Sequence, residues 1–152
     1  MKKTLLLLLL LACLALCACE KDKPLPSCQS VSDALCASQS TAELTALDEK
    51  QIEKYVLLSA SQYADAAVSI DTTRVTAECV LVFTAQNQDG VAALESALTA
   101  YRDDLLAQYR DYRPQEVPKL ESAQVRVNGL QVALAVLPDA DAAQQALDEC
   151  WK

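Results

Sequence analysis

Histidine is absent from all 152 residues. That removes Ser–His and Cys–His nucleophile pairs, imidazole metal sites and histidine proton shuttles together. Carboxylate chemistry survives, so the absence argues against an enzyme without excluding one. Positive charge is scarce as well. Thirteen Lys+Arg stand against 21 Asp+Glu, a formal net charge of −8. Nucleic acid and anionic membrane surfaces need Lys and Arg to meet their phosphates, so neither is an expected partner of the protein surface. No Cys-x-x-Cys pair, EF-hand loop or glycosidase pattern occurs, and no cofactor is implied. No internal repeat is visible beyond a loose doubling of strand–strand–helix.

What is present begins with an N-terminal leader. Met1-Lys2-Lys3 is a short positive start, and Thr4 to Ala18 is almost purely apolar. A basic start, an apolar middle and a small residue before the cut mark a secretory signal peptide. Leu16-Cys17-Ala18-Cys19 adds a lipobox, in which Cys19 becomes mature residue one and carries a diacylglycerol thioether. Leu10-Leu11-Ala12-Cys13 also fits a minimal lipobox, but cleavage there would leave an apolar stub. Cleavage before Cys19 opens onto Glu20-Lys21-Asp22-Lys23. An uncleaved membrane span is disfavoured, because Leu5–Ala18 is about 14 residues against the roughly 20 a bilayer requires. Loss of residues 1–18 leaves 134 of the 152 residues, and loss of Lys2 and Lys3 takes the charge from −8 to −10. Membrane contact is thus expected through the lipid, on the extracytoplasmic side of the cell membrane.

The expected division is a signal peptide over 1–18, a lipidated N-terminus and tether over 19–30, and one α+β domain over 31–152. Val31 to Ala37 has helical spacing, and Asp48 opens a second helix bearing Ile52 and Tyr55. Thr41 to Leu47 reads as a connector. Ala64–Ile70 and Val75–Thr84 read as strands, the second with Val75, Ala77, Cys79, Leu81 and Phe83 on its drier face. Val91, Leu94, Leu98, Tyr101, Leu105, Tyr109 and Tyr112 line a long helix that Arg113-Pro114 ends. Ala123–Val127 and Leu130–Leu137 flank Asn128-Gly129, a strong hairpin signal. Asp141 with Gln144 resembles a capping box for a closing helix. The order α-α-β-β-α-β-β-α implies a two-layer sandwich, a four-stranded, mostly antiparallel sheet with helices on one face.

Three constellations could carry chemistry. After processing, Cys28, Cys36, Cys79 and Cys150 remain, and four cysteines outside the cytoplasm allow three full pairings. Cys79 and Cys150 both sit on expected apolar faces, and a bridge between them would close about a 70-residue loop, stabilising by roughly 4 kcal/mol. Idle buried thiols are the plainer alternative. Arg102, Arg110 and Arg113, each following a tyrosine, concentrate positive charge on the long helix. They could receive an anionic envelope polymer or an acidic partner strip, or simply pair with Asp103, Asp104 or Asp111. Asp103-Asp104, Asp139 with Asp141, and Asp148-Glu149 are carboxylate groups whose plain roles are solvation and capping.

Tyr109-Arg110-Asp111-Tyr112-Arg113-Pro114-Gln115-Glu116-Val117-Pro118-Lys119-Leu120-Glu121, then Val125–Val127, Asn128-Gly129 and Leu130–Val136, form a further signature. With the strand Ala77–Phe83 and the lipobox, it resembles the small lipoprotein family described as domain of unknown function 4358. The resemblance spans about Val31 to Lys152 and implies the fold and location above. It carries no catalytic residues. The expected role is a non-enzymatic envelope accessory or binding module, with an envelope protein or polymer as partner. The rival is a carboxylate-dependent hydrolase acting on cell-wall material. A substrate-capturing lipoprotein is less expected, since one small domain lacks a two-lobed cleft.

Overall fold

The computed structural model describes residues 24–152. The leader, Cys19 and the tether as far as Lys23 lie outside the described residues.

The strand Cys79–Thr84 is buried from Cys79 through Phe83. Side chains alternate across a strand, so one that is wet on neither side must be covered on both. It is β3 of a five-stranded antiparallel sheet. Its companions are β1 (Thr45–Ala46), β2 (Asp65–Ile70), β4 (Val125–Asn128) and β5 (Gln131–Val136), in the order β1-β2-β3-β5-β4. Leu81 pairs with Val68 on one side and Leu134 on the other. On that face Cys79, Leu81 and Phe83 pack with Val132, Leu134 and Val136. They lie beneath α2 (Glu49–Val56), α3 (Gln88–Tyr112) and α4 (Val117–Ser122). On the other face Val80, Val82, Ala67 and Ala133 pack beneath α1 (Cys28–Ala37) and α5 (Ala140–Cys150).

The α+β class and the antiparallel sheet agree with the sequence. Four details differ. The described residues form five strands rather than four, because β1 is two exposed residues with no apolar alternation to reveal it. Helices cover both faces, so the architecture has three layers rather than two. Val75–Glu78, read as strand, is a bend and loop, and removing Thr76 and Glu78 from the strand leaves Val80 and Val82 as a second dry face. Finally, Pro114 ends α3 but a 3-10 turn (Pro114–Glu116) and α4 follow at once. Pro118 sits at the second position of α4, where its missing N–H costs nothing.

Local chemistry explains the boundaries. Asp48 and Gln51 close a capping box at α2, with reciprocal bonds of 2.9 Å. Asn87 caps α3 through Gly90 N–H. The cap of α5 is Asp139, through Ala142 N–H at 2.9 Å, while Asp141 lies in the first turn. The β4–β5 hairpin turns on Gly129 and Leu130, since Asn128 pairs with Gln131, and Gly129 takes the left-handed φ of 57°.

Residues 24–30, expected in the tether, are held by the fold. The fully buried Gln131 donates to the Pro26 carbonyl at 2.6 Å and accepts from the Trp151 indole at 2.7 Å. Cys28 is buried beside Thr84, and its N–H donates to Asp65. The N-terminus therefore enters at the Thr84 end of β3. The loop 71–78 is at the opposite end of the sheet, about 20 Å away at 3.3 Å per residue.

Candidate functional site

Cys79 and Cys150 are not brought together. Cys79 belongs to the core beneath α3, whereas Cys150 packs against the core beneath α1 and α5, across the sheet. All four described cysteines are free thiols. Cys28 and Cys36 lie eight residues apart in one helix, about 12 Å along its axis, beyond disulfide reach. Burial foremost pushes the thiols of Cys28 and Cys79 up to about 12, which keeps them protonated and unreactive.

Arg102 and Arg110 lie about 80° apart around α3, Arg113 lies just past its end with a non-helical backbone, and the first two are engaged. Arg102 binds Asp103 at 2.7 Å and donates to the Ala123 carbonyl at 3.2 Å. Arg110 lies 3.8 Å from Glu121, and the Arg113 guanidinium covers the Tyr112 ring. Arg102 and Arg110 thus link α3 to α4 and its cap, whereas the buried Arg113 Nε has no acceptor among the described residues. Of the six grouped carboxylates, Asp103, Asp139, Asp148 and Glu149 are engaged similarly. Asp148 pairs with Arg126 at 2.8 Å, Glu149 accepts from Gln145, and Asp139 is a cap. No cluster of three metal-ligating residues occurs among the described residues.

A charged cluster that the sequence reading missed lies where loop 71–78 meets α4. Glu78 and Glu116 are 5% and 7% exposed. Lys119 bridges them, 2.7 Å from Glu78 Oε1 and 3.0 Å from Glu116 Oε2. Ala42 N–H donates to the remaining Glu78 oxygen, and Ala77 N–H to Glu116. Burial alone would lower the Lys119 pKa. The hydrogen bonds and charges of Glu78 and Glu116 outweigh it and hold it above the ordinary lysine value. Both Glu78 oxygens and the Glu116 Oε2 accept from these donors, so the cluster ties α4 to the residues leading into β3. The available signal was a glutamate in an apolar stretch with Glu116 and Lys119 one turn apart.

The same loop is pinned from within. The buried Asp71 carboxylate accepts from Thr73 and from both Thr76 N–H and Oγ1, at 2.8 and 2.9 Å. Burial would raise its pKa, yet these bonds lower it below the usual carboxylate range. Arg74 takes a left-handed φ of 59° with its N–H on the Asp71 carbonyl at 3.3 Å, while the Tyr109 hydroxyl donates to the Thr76 carbonyl and lies 3.3 Å from the Arg74 carbonyl.

Arg74 faces a groove of about 310 Å³ between the end of α2 and the middle of α3. Ala97 and Ala100 leave the space, and Tyr101, Asp104, Leu105 and Gln108 continue the α3 wall at helical spacing. Lys54, Tyr55, Val56 and Leu57 form the opposite wall. Leu57 is 79% exposed and left-handed, φ 63°. Leu57 and Arg74 are thus the two non-glycine residues with positive φ among those described, and both line this groove. Such conformations cost about 1–3 kcal/mol each and gather at functional positions. Arg74 binds only the neutral Gln108 side chain, at 3.1 Å, and Lys54 lies over the Tyr55 ring. Neither has a carboxylate within salt-bridge distance among the described residues.

No curated protein and no solved structure matches the chain. A family model described as a domain of unknown function, DUF4358, matches residues 37–137. That span holds the sheet, the groove and the Glu78–Lys119–Glu116 cluster, and leaves α5 and nearly all of α1 outside. Covering well over half of the 152 residues, the match places this chain in the DUF4358 family.

Proposed function

We propose that the protein is a lipid-anchored, extracytoplasmic binding module of the cell envelope, tethered through Cys19 and without catalytic activity of its own. The observation that carries the binding role is the groove between α2 and α3. Two unneutralised cations and both left-handed side chains meet there, in a chain whose net charge is strongly negative. The anchor rests on the leader and lipobox. No helix among the described residues is long and apolar enough to cross a membrane. Four residues separate Cys19 from Pro24, five Cα–Cα steps or at most about 18 Å of chain, and Pro26 is bound at the sheet end opposite Arg74. An anchored domain would then carry its groove on the side away from the lipid.

The hydrolase reading gains no support from the buried pair Glu78 and Glu116, which Lys119 bridges. Metabolic labelling with an alkyne fatty acid tests the anchor. Label is expected on the wild type and on Cys13→Ala, and not on Cys19→Ala. Label retained by Cys19→Ala would refute the assignment.

A further inference from the structure

We infer that the groove between α2 and α3 receives the free carboxylate end of an apolar peptide; this rests on the binding-module reading above and specifies its ligand. Lys54 and Arg74 supply two positive charges and Asp104 one negative charge on the same lining. The balance of +1 suits a monoanion, and Asp104 would repel a doubly charged phosphate. Lys54, Arg74, Asp104 and Gln108 make the lining too polar for an acyl chain, which gains nothing from hydrogen-bonding groups and leaves them unpaired. A peptide terminus uses both kinds of surface. Its carboxylate meets Lys54 and Arg74 in charge-assisted hydrogen bonds. Its last side chain covers Val56, Ala97 and Leu105, and its final backbone N–H donates to Asp104. Gln108 already holds the Arg74 guanidinium at the groove, at 3.1 Å, so less ordering entropy is lost when a ligand engages it. The volume, about 310 Å³, is at the small end of the roughly 300–1,000 Å³ of ligand sites, enough for a terminal residue while the rest of the peptide leaves through the open side.

The test is calorimetric titration of the full lipidated chain in detergent micelles with a leucine-ending tripeptide, as the free acid and as the C-terminal amide. The free acid is expected to bind, and the amide to bind at least about tenfold more weakly. Lys54→Gln and Arg74→Gln should each cost a similar factor. Lys152→Gln, at the opposite end of the sheet, should change nothing. Lys54 is on a helix surface, so its variant reads the site even if Arg74→Gln loosens the loop. Equal binding of acid and amide, or wild-type affinity in Lys54→Gln, overturns the inference. If inorganic phosphate or a fatty acid binds instead with the same dependence on Lys54, the peptide class is overturned while the groove stands as a binding site. No binding by any of these probes overturns both the ligand class and the groove, and leaves the Cys19 anchor to its own labelling test.

Discussion

Replacing Lys119 with methionine should be among the most damaging single changes in the described domain. The ammonium lies 2.7 Å from Glu78 and 3.0 Å from Glu116, both of them buried. Methionine keeps most of the aliphatic stem but leaves two carboxylates near each other with only backbone N–H groups to compensate them. Removing one partner of a buried ion pair costs about 3–5 kcal/mol, because the abandoned charge stays desolvated. That is a large share of a domain stability of about 5–15 kcal/mol. At about 3–5 °C per kcal/mol for a domain of this size, Tm should fall by about 10–20 °C. Urea and thermal unfolding measure it. Adding Glu78→Gln and Glu116→Gln to Lys119→Met should recover most of the loss, since no uncompensated charge remains. The pH dependence has a definite sign. The folded pKa of Lys119 is raised above 10.5, so its stabilisation is complete below the ordinary lysine value and lost as pH rises through the folded one. The gap between wild type and variant should therefore hold across neutral and mildly alkaline pH and close only above about 10.5. A loss under about 1 kcal/mol would match an ordinary surface pair and refute the reasoning.

Asp71→Ala removes four hydrogen bonds from loop 71–78 and should cost about 2–3 kcal/mol in urea unfolding. Because the folded pKa lies below 3.8, the wild-type contribution is present above that value and lost as pH falls through the folded one, so the two proteins should converge in acid. Native-state thiol labelling near neutral pH should modify Cys36 and Cys150, which are partly exposed, well before Cys28 and Cys79; prompt labelling of Cys79 would contradict its burial. Gln131→Leu orphans the Pro26 carbonyl and the Trp151 indole N–H, at about 1–3 kcal/mol. Limited proteolysis should then cut ahead of α1 and tryptophan emission should shift to the red, and unchanged protection of residues 24–27 would count against the Gln131 clasp.

Much of the architecture was legible because its signals are local. The three- and four-residue spacing along Val91 to Tyr109 needs only one helix to be seen, and Asp48 with Gln51 needs only one turn. β1 was not legible, since Thr45 and Ala46 become strand by pairing with Ile70 and Ser69 rather than by pattern. The second covered face was hidden by Thr76 and Glu78, which share their alternation with β3 but belong to the loop. For the same reason Glu78 fell outside the drier face of the expected strand, when α4 delivers Lys119 to it across 41 positions of sequence.

The candidate site divides the same way. Absence of histidine, the acidic balance and the lipobox pattern are properties of composition and order, and no folding step can alter them. Which cations stay unneutralised is a property of proximity. Arg102 and Arg110 stood out in sequence because each follows a tyrosine, yet α4 brings Glu121 and the Ala123 carbonyl against them. Lys54 and Arg74, unremarked in sequence and 20 positions apart, line one groove because the loop from β2 and the end of α2 converge on the small side chains Ala97 and Ala100 of α3. A sequence lists charges one at a time; only packing decides which of them are already answered.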